Sequence, residues 1–150
     1  MLPENFQLEV VTPERRVIRA TAVEVQVPAQ DGYLGILPGH APLLTAMGNG
    51  ELSYSDGQQR YYAVVFGGYA EVLGGRVIVL AEAAERAEEI NSARASAAKH
   101  NAEKILATPS APEEQAAPAR EAKARAELRL KVAGRASGTP HGEVEVAHSA

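Results

Sequence analysis

The chain has 150 residues, a formal net charge of −4 at pH 7 and a hydrophobic content of 45%, which supports a folded core. It contains no cysteine, which excludes disulfides and thiolate metal sites, and its mildly acidic balance argues against nucleic-acid binding. No apolar run reaches the roughly 18 residues that a membrane-spanning helix needs. The N-terminus lacks the basic and apolar regions of a secretory signal, which predicts a cytoplasmic protein.

Residues 1–84 predict an antiparallel β-sandwich, because apolar and polar residues alternate between closely spaced turn signals. Val25 and Val27 alternate with Glu24 and Gln26, for example, so that one face of this strand is apolar. Dipeptides that favour turns or interrupt strands separate such runs: Asp56-Gly57, Gly67-Gly68 and Gly74-Gly75. A barrel is the alternative arrangement for short strands at this spacing.

The stretch from Asp31 to Thr45 is typical of neither a regular strand nor a solvated loop. Its glycines suit positions with positive φ, and Pro38 and Pro42 have no amide hydrogen for a central strand ladder. Five large apolar side chains of the stretch are nevertheless expected to be buried: Leu34, Ile36, Leu37, Leu43 and Leu44. We therefore predict a rigid apolar corner between short strands.

From Glu82 onwards the pattern changes and predicts an antiparallel helical hairpin over residues 85–133. Up to Ala107 there is no glycine or proline, and apolar residues recur near helical spacing. Glu85 and Glu89 are expected in the first turns of the first helix, where acidic side chains suit the helix dipole.

The second helix is expected to run from Pro118 to Ala133, with Gly134 as the residue that ends it. Ser110 and Glu113 form a capping-box pattern that would start the helix earlier. Pro118 would then lie inside the helix at a cost of about 3 kcal/mol. We therefore predict a start or a kink at Pro118.

Small side chains are expected to form the contact between the two helices. The alanines on the stripes that should face each other are Ala93, Ala97, Ala119, Ala122 and Ala126. Alanine buries little apolar area, so such a seam holds a helix pair weakly. We therefore expect that the hairpin can detach from the sandwich.

No catalytic or metal site emerges from the residues themselves. His40 is the only histidine of residues 1–84 and stands in the apolar corner without a nucleophile beside it, so a structural hydrogen bond explains it better than catalysis. Residues 134–150 predict a disordered tail. His141 and His148 of that tail have no third ligand nearby, so we predict no metal site.

The second helix is strongly basic. Between residues 118 and 135 the acidic residues are Glu121 and Glu127, and the basic ones are Arg120, Lys123, Arg125, Arg129, Lys131 and Arg135. These side chains form either a solvated face or a surface for an acidic partner, whose binding would weaken with salt. Nucleic-acid binding is the poorer interpretation, because no aromatic residue accompanies them.

The stretch from Asp31 to Thr45 reads Asp-Gly-Tyr-Leu-Gly-Ile-Leu-Pro-Gly-His-Ala-Pro-Leu-Leu-Thr, and it resembles the signature of the epsilon subunit of F-type ATP synthases. Residues 8–15, 67–72 and 77–81 also resemble strands of that family, and the likeness fades through the second helix. The resemblance implies a sandwich followed by a helical hairpin. It also implies a non-catalytic rotor subunit of the central stalk, which couples proton flow through the membrane ring to ATP synthesis.

The resemblance implies two sets of partner contacts. The interface with the γ subunit and the rotor ring would comprise Asp31, Gly32, Tyr33, Gly35, Pro38, Gly39, His40 and Pro42. The loop at Asp31 would face the ring, and the corner at His40 would lie at the stalk. An extended hairpin would restrain ATP hydrolysis when its basic residues meet an acidic loop of the β subunit: Arg120, Lys123, Arg125, Arg129 and Lys131.

Some members of the family bind ATP on the hairpin through the pattern Ile/Leu-Asp-x-x-Arg-Ala. The residues that correspond to this pattern and its surroundings are Ile90, Asn91, Arg94, Ala95, Glu85, Arg125 and Arg129. Asn91 replaces the acid of the pattern and Asn101 replaces an arginine, and each lost charge-assisted contact costs about 1.5–3 kcal/mol. We therefore predict that ATP binds weakly or not at all, and that no other cofactor is needed.

The resemblance further implies a bacterial protein that is peripheral to the cytoplasmic face of the inner membrane and is not inserted in it. Two other classes of function stay open. One is a stand-alone β-sandwich binding module whose hairpin serves for dimerisation. The other is a small hydrolase that uses His40, which predicts that His40→Ala abolishes a measurable turnover.

Overall fold

A computed structural model describes residues 3–136 of the chain. Within this range ten β-strands are followed by a 3₁₀ turn (Ala87–Glu89) and two α-helices, α1 (Ser92–Leu106) and α2 (Glu113–Ala133). The strands are β1 (Phe6–Val11), β2 (Arg16–Ala22), β3 (Glu24–Ala29), β4 (Gly32–Ile36), β5 (Leu43–Ala46), β6 (Gly50–Ser55), β7 (Arg60–Phe66), β8 (Tyr69–Leu73), β9 (Arg76–Leu80) and β10 (Ala83–Arg86). From residue 137 onwards the predicted tail lies outside the described residues.

The strands form two five-stranded sheets that pack face to face. The first sheet has the order β2-β1-β9-β8-β5, and the second has the order β10-β7-β6-β3-β4. Neighbouring strands are antiparallel except for β1 and β9, which run parallel with Leu8 beside Val77. The predicted β-sandwich is therefore confirmed, with one parallel pair that the turn signals did not indicate.

One apolar core fills the space between the sheets, because alternate residues of each strand point inwards. Among its largest fully buried side chains are Leu8, Ile18, Ile36, Leu52 and Tyr54. The ring of Tyr54 stacks on that of Tyr61 with the centroids 5.1 Å apart. Burial raises the pKa of the Tyr54 hydroxyl above its ordinary value.

The first helix begins at Ser92, so the expected helical turns at Glu85 and Glu89 are wrong. Residues 83–86 form β10 instead, which pairs antiparallel with β7 at the edge of the second sheet. Tertiary pairing of this kind outweighs the modest helical preference of a short segment rich in alanine and glutamate. Asn91 then caps α1, since its side-chain oxygen accepts a hydrogen bond from a first-turn amide at 3.0 Å.

The second helix begins at Glu113 rather than at Pro118, so the proline lies inside it. Pro118 has no amide hydrogen, so the carbonyl of Glu114, four residues earlier, lacks its helical hydrogen bond. Glu114 is exposed and water can reach this carbonyl, which lowers the free-energy cost of the proline. Pro112 precedes the helix with an extended backbone and supplies no capping side chain. The helix ends at Ala133 as predicted, and Gly134 follows it in a right-handed helical conformation with a φ of −65°.

An alanine seam joins the two helices, at positions that differ in part from the predicted ones. The buried alanines are Ala95 and Ala102 on α1 and Ala119 and Ala126 on α2. Ala93, Ala97 and Ala122 are exposed. In a segment with this many alanines, helical spacing alone does not determine which stripe faces inwards.

Candidate functional site

The hairpin docks on the outer face of the second sheet through a small apolar cluster. Val64 and Phe66 of β7 pack there with Ala87 and Ile90 of the linker and with Val132 near the end of α2. All five side chains are buried. Because the cluster is small, it stabilises the docked hairpin far less than the core stabilises the sandwich.

Two arginines of α2 lie over the ring of Phe66 at the rim of this cluster. The guanidinium carbons of Arg125 and Arg129 are 5.0 and 4.7 Å from the ring centroid. Arg129 also donates a hydrogen bond from Nε to the carboxylate of Glu85 on β10, at 2.6 Å. Cation–π contacts of this kind contribute about 0.5–2 kcal/mol, depending on how far they are desolvated.

A cavity of about 620 Å³ lies beside these arginines, between the sandwich and the hairpin. Six of the seven residues for which the family pattern implies ATP contacts line it: Glu85, Asn91, Arg94, Ala95, Arg125 and Arg129. The seventh, Ile90, is buried in the apolar cluster instead. Residues from β10, α1 and α2 are thus brought together around one cavity.

The cavity carries charges of both signs, and several of them are already paired. The charged residues that line it are Glu14, Glu82, Glu85, Glu89, Arg15, Arg94, Arg125 and Arg129. Arg129 is paired with Glu85, and Arg15 with Glu89. The side-chain oxygen of Asn91 is committed to the cap of α1. Arg125 lies 3.5 Å from the carboxylate of Glu121 on the same helix. An anionic ligand would therefore compete with the protein's own carboxylates for three of the four guanidinium groups.

Glu89 ties the linker before α1 to the turn between β1 and β2. Its carboxylate accepts hydrogen bonds from Arg15 at 2.9 and 2.5 Å and from Nε of Arg86 at 2.8 Å. Burial raises the pKa of Glu89, but the hydrogen bonds and charges of the two arginines outweigh burial and hold this pKa below its ordinary value. The hydrogen bond to Glu89 likewise raises the pKa of Arg15.

The other basic residues of α2 point in different directions. Arg120 pairs with Glu113 on the same helix, and Nζ of Lys123 lies 3.7 Å from the carboxylate of Glu103 on α1. Lys131 is exposed and has no ion-pair partner within residues 3–136. In the docked hairpin the basic residues therefore do not form a single exposed face.

The segment between β3 and β5 crosses from the edge of the second sheet to the edge of the first. Asp31 lies in the exposed turn before β4, and the hydroxyl of Tyr33 accepts a hydrogen bond from the amide of Glu51 at 3.1 Å. Nδ1 of His40 donates to the carbonyl oxygen of Ala41 at 2.7 Å, which gives this ring a local structural role. The other residues of the predicted interface lie on β4 or in the following loop: Gly32, Gly35, Pro38, Gly39 and Pro42.

The outer face of the first sheet carries large apolar side chains that the period-two pattern does not mark as exposed. Tyr69 and Leu80 are opposite each other on β8 and β9, and they are joined on this face by Leu73 and Leu44. Their exposed fractions lie between 54% and 65%. We call these four side chains the apolar face.

Two leucines of the predicted apolar corner are therefore more exposed than expected. Leu44 is 65% exposed and Leu37 is 60% exposed, so the expectation that both are buried is wrong. Leu43 and Leu44 are neighbours on β5, and adjacent residues of a strand point to opposite faces, so only one of them can face the core. Leu43 takes the inner position.

Residues 5–87 match the family model described as ATP synthase, Delta/Epsilon chain, beta-sandwich domain. The ATP synthase epsilon chain of Solibacter usitatus (strain Ellin6076) is 48% identical over 132 residues, which cover 88% of this chain and 98% of that relative. The chain belongs to the ATP synthase epsilon chain family. The epsilon chain of Koribacter versatilis (strain Ellin345) is 50% identical over 108 residues, or 71% of this chain and 75% of that relative.

Solved structures share the fold of this epsilon-family chain. One is a chain in the cryo-EM structure of the Euglena gracilis mitochondrial ATP synthase, OSCP/F1/c-ring, with a TM-score of 0.64 and 19% identity over 89% of this chain and 80% of that chain. Another is in the Tetrahymena thermophila mitochondrial ATP synthase, central stalk/c-ring, with a TM-score of 0.55 and 11% identity over 85% of this chain and 95% of that chain.

Epsilon chains are accessory rather than catalytic chains of ATP synthase, so family membership confirms the prediction that this chain is not itself an enzyme. Within residues 3–136 no three histidine, aspartate or glutamate side chains are grouped as a metal site would require. Neither helix of that range has the length and apolar character needed to cross a bilayer.

Proposed function

We propose that this epsilon-family chain is a rotor subunit of the central stalk in a proton-translocating ATP synthase, where it links the γ subunit to the membrane ring. The observation that carries the proposal is the apolar face of the first sheet. Each of its four side chains is more than half exposed. The strand register places Tyr69 opposite Leu80, and it places Leu44 opposite Glu71, which lies between Tyr69 and Leu73 on β8. Large apolar side chains exposed together on one face of a sheet are typical of protein interfaces.

The contrast between the two outer faces of the sandwich supports this proposal. The hairpin covers the second sheet, where Val64 and Phe66 are buried beneath it. No element of residues 3–136 covers Tyr69, Leu73 or Leu80 on the first sheet. A second molecule is therefore expected to cover them, and the family resemblance implies that this molecule is the γ subunit.

The loop at Asp31 is the proposed contact with the rotor ring, and the corner at His40, in the same segment between β3 and β5, would lie at the stalk. This segment begins at the exposed turn of Asp31 and ends at Leu44 of the apolar face, so the two partner surfaces would be continuous. Contact with the ring would hold the chain at the cytoplasmic face of the bacterial inner membrane as a peripheral subunit, without insertion. The relatives in Solibacter and Koribacter are bacterial, which agrees with this location.

The hairpin is the proposed regulatory element. When extended, it would restrain ATP hydrolysis by placing the basic residues of α2 against an acidic loop of the β subunit. ATP itself would bind weakly or not at all in the cavity, because Asn91 stands where the family pattern has an acid and is engaged in capping α1. Isothermal titration should therefore detect no micromolar affinity for ATP.

The proposed γ contact can be tested with full-length variants and the γ subunit of the same organism. Leu80→Glu introduces a charge into the apolar face and should weaken γ binding at least about tenfold, because the carboxylate would be desolvated in the interface. Ile105→Glu makes the same change at an exposed apolar side chain near the end of α1 and should bind γ like the wild type. Wild-type affinity for a folded Leu80→Glu variant would contradict the proposal.

A further inference from the structure

Pro28 interrupts the hydrogen-bond ladder of the second sheet close to the turn proposed to face the rotor ring. It lies on β3, which has a neighbouring strand on each side, and it has no amide hydrogen to donate. The register of β3 with β6 ends at Gln26 and Ser53. The amide of Glu51, two residues before Ser53 on β6, therefore has no ladder partner on β3.

Tyr33 supplies a partner for this amide. It is opposite Pro28 on β4, and its hydroxyl oxygen accepts a hydrogen bond from the amide of Glu51 on β6 at 3.1 Å. Because β3 lies between β4 and β6, the side chain of Tyr33 crosses β3 at Pro28. A side chain thus joins two strands at the place where the backbone ladder between β3 and β6 has ended.

Gly50 leaves the space that this contact needs. A Cβ on Gly50 would lie 2.6 Å from the Cβ of Pro28 and 3.2 Å from the hydroxyl oxygen of Tyr33. A larger residue at this position would therefore displace the proline, the tyrosine or both. We call Pro28, Tyr33, Gly50 and the amide of Glu51 the tyrosine anchor.

The tyrosine anchor lies beside the turn that joins β3 and β4. Gln30 and Asp31 form this turn, and Asp31 is exposed. On its other side the amide of Gln30 donates a hydrogen bond to the carbonyl oxygen of Ala46 on β5 at 3.2 Å. The turn is therefore fastened to the second sheet through Tyr33 and to the first sheet through Gln30.

We propose that Tyr33 is a positioning residue for the contact with the rotor ring, because its hydroxyl fixes the direction in which the turn of Gln30 and Asp31 projects. The proposal rests on the proposed function, in which this turn faces the rotor ring. Tyr33 then acts through the turn rather than through a contact of its own. A turn that is already fixed loses less conformational entropy on binding than a free one, so it binds more tightly.

The hydroxyl and the phenyl group of Tyr33 make different contributions that a single substitution separates. Tyr33→Phe removes the hydroxyl and keeps the apolar part of a side chain that is 59% exposed. If Tyr33 acted by direct apolar contact, this variant would bind the rotor ring as well as the wild type does. Tyr62→Phe is the matched control, because it removes a hydroxyl on β7 of the same sheet that makes no hydrogen bond within residues 3–136.

Two measurements on the full-length protein follow the hydrogen bond and its consequence. Amide hydrogen exchange, observed by NMR, reports on the hydrogen bond of Glu51, and Tyr33→Phe should speed exchange at this amide at least about threefold. Affinity is measured for the isolated γ subunit and for γ with the rotor ring attached, both from the same organism. Tyr33→Phe should bind isolated γ like the wild type and should bind the assembly with the ring about threefold to tenfold more weakly. Tyr62→Phe should match the wild type in all three measurements.

Unchanged exchange at Glu51 in Tyr33→Phe would overturn the tyrosine anchor. Faster exchange with wild-type affinity for the assembly with the ring would overturn the positioning role, provided that the wild type binds this assembly more tightly than isolated γ. If the wild type gains no affinity from the ring, the ring contact of the proposed function fails and the positioning role fails with it, while amide exchange still decides whether the tyrosine anchor exists.

Discussion

The interior of the sandwich and its contact with the hairpin are built from different kinds of side chain. The interior is filled by large residues that are almost completely buried, such as Leu8, Ile18 and Tyr54. An alanine seam joins the two helices of the hairpin, and a small apolar cluster and partly exposed arginine contacts hold the hairpin on the sandwich. At about 25 cal/mol for each Å² of buried apolar surface, the first arrangement is much stronger than the second.

This difference indicates which part of the molecule is permanent and which part can be released. A core of interlocked strands is lost only by global unfolding, whereas a docked element with few buried contacts can leave by itself. The proposed rotor subunit would need both properties, because it would hold its partners under load and still move a regulatory arm.

Removing core volume should have the largest effect on stability. Leu8 is fully buried on β1, between β2 and β9. Leu8→Ala should lower the free energy of unfolding by about 2–5 kcal/mol, because it leaves a cavity between the sheets. Urea unfolding of the full chain measures this, and Leu73→Ala on the exposed apolar face should cost less than about 1 kcal/mol. Equal losses in the two variants would contradict the assignment of the core.

The next largest loss of stability is expected from a substitution in the tight turn between β7 and β8. Gly68 has a φ of +95°, and a Cβ there would lie 1.8 Å from the carbonyl oxygen of Leu80. Gly68→Ala should therefore cost about 2 kcal/mol or more, because the backbone of β9 must shift. Gly74 also has positive φ but has open space around it, so Gly74→Ala serves as the control for backbone strain alone and should cost less.

Breaking the ion pair between Arg15 of the sandwich and Glu89, which precedes α1, should cause an intermediate loss of stability that depends on pH. Arg15→Gln should lower stability by about 1 kcal/mol at pH 7, because Glu89 loses its two hydrogen bonds to Arg15. The folded-state pKa of Glu89 lies below its ordinary value of 4.5, so the contribution of this contact is full above that pH. It is lost as pH falls through the lower, folded-state pKa.

The difference between wild type and Arg15→Gln in urea unfolding should accordingly shrink on acidification to about pH 3. A matched control is Arg76→Gln, whose 3.5 Å pairing with Glu9 involves an arginine that is 58% exposed. Its effect should be smaller at pH 7. A difference for Arg15→Gln that stayed constant from neutral to acid pH would count against the ion pair as its cause.

The smallest effect is expected on the solvent side of the hairpin. Arg120 pairs with Glu113 where both side chains are more than half exposed. Arg120→Ala should therefore change the free energy of unfolding by less than about 0.5 kcal/mol and should leave the hairpin docked. A larger loss, measured by the same urea titration, would mean that exposed charges of α2 hold the hairpin as firmly as those on Phe66.

The sequence predicts the sandwich well, because apolar and polar residues alternate along each strand and glycine or proline interrupts the runs, and both signals are local. It does not predict the parallel pairing of β1 with β9, which joins segments far apart in the chain. The residues from Ala83 to Glu89 have the composition of a helix, and only pairing with β7 makes β10 from them. Exposure of Leu44 depends on which face of β5 meets the core, and alternation alone leaves that choice open.

The candidate site, like the fold, is predicted by the sequence only in part. The family resemblance anticipates residues of one site, including Glu85, Arg94 and Arg129, and all three line the cavity. It gives no indication of the contacts of Arg125 and Arg129 with Phe66, which arise only when α2 docks on the second sheet. Contacts between distant segments carry no signal in a single sequence.

Native-state hydrogen exchange on the full chain tests the central claim, a permanent sandwich with a releasable hairpin, most directly. Amides of β1, β7 and β9 should exchange only through global unfolding, whereas amides in the middle of α1 and α2 should exchange through a separate opening of lower free energy. Added salt should lower the second free energy and leave the first nearly unchanged, because the arginine contacts are partly exposed. If helix and strand amides exchanged with one free energy and one salt dependence, the hairpin would be part of the permanent fold and the account would be contradicted.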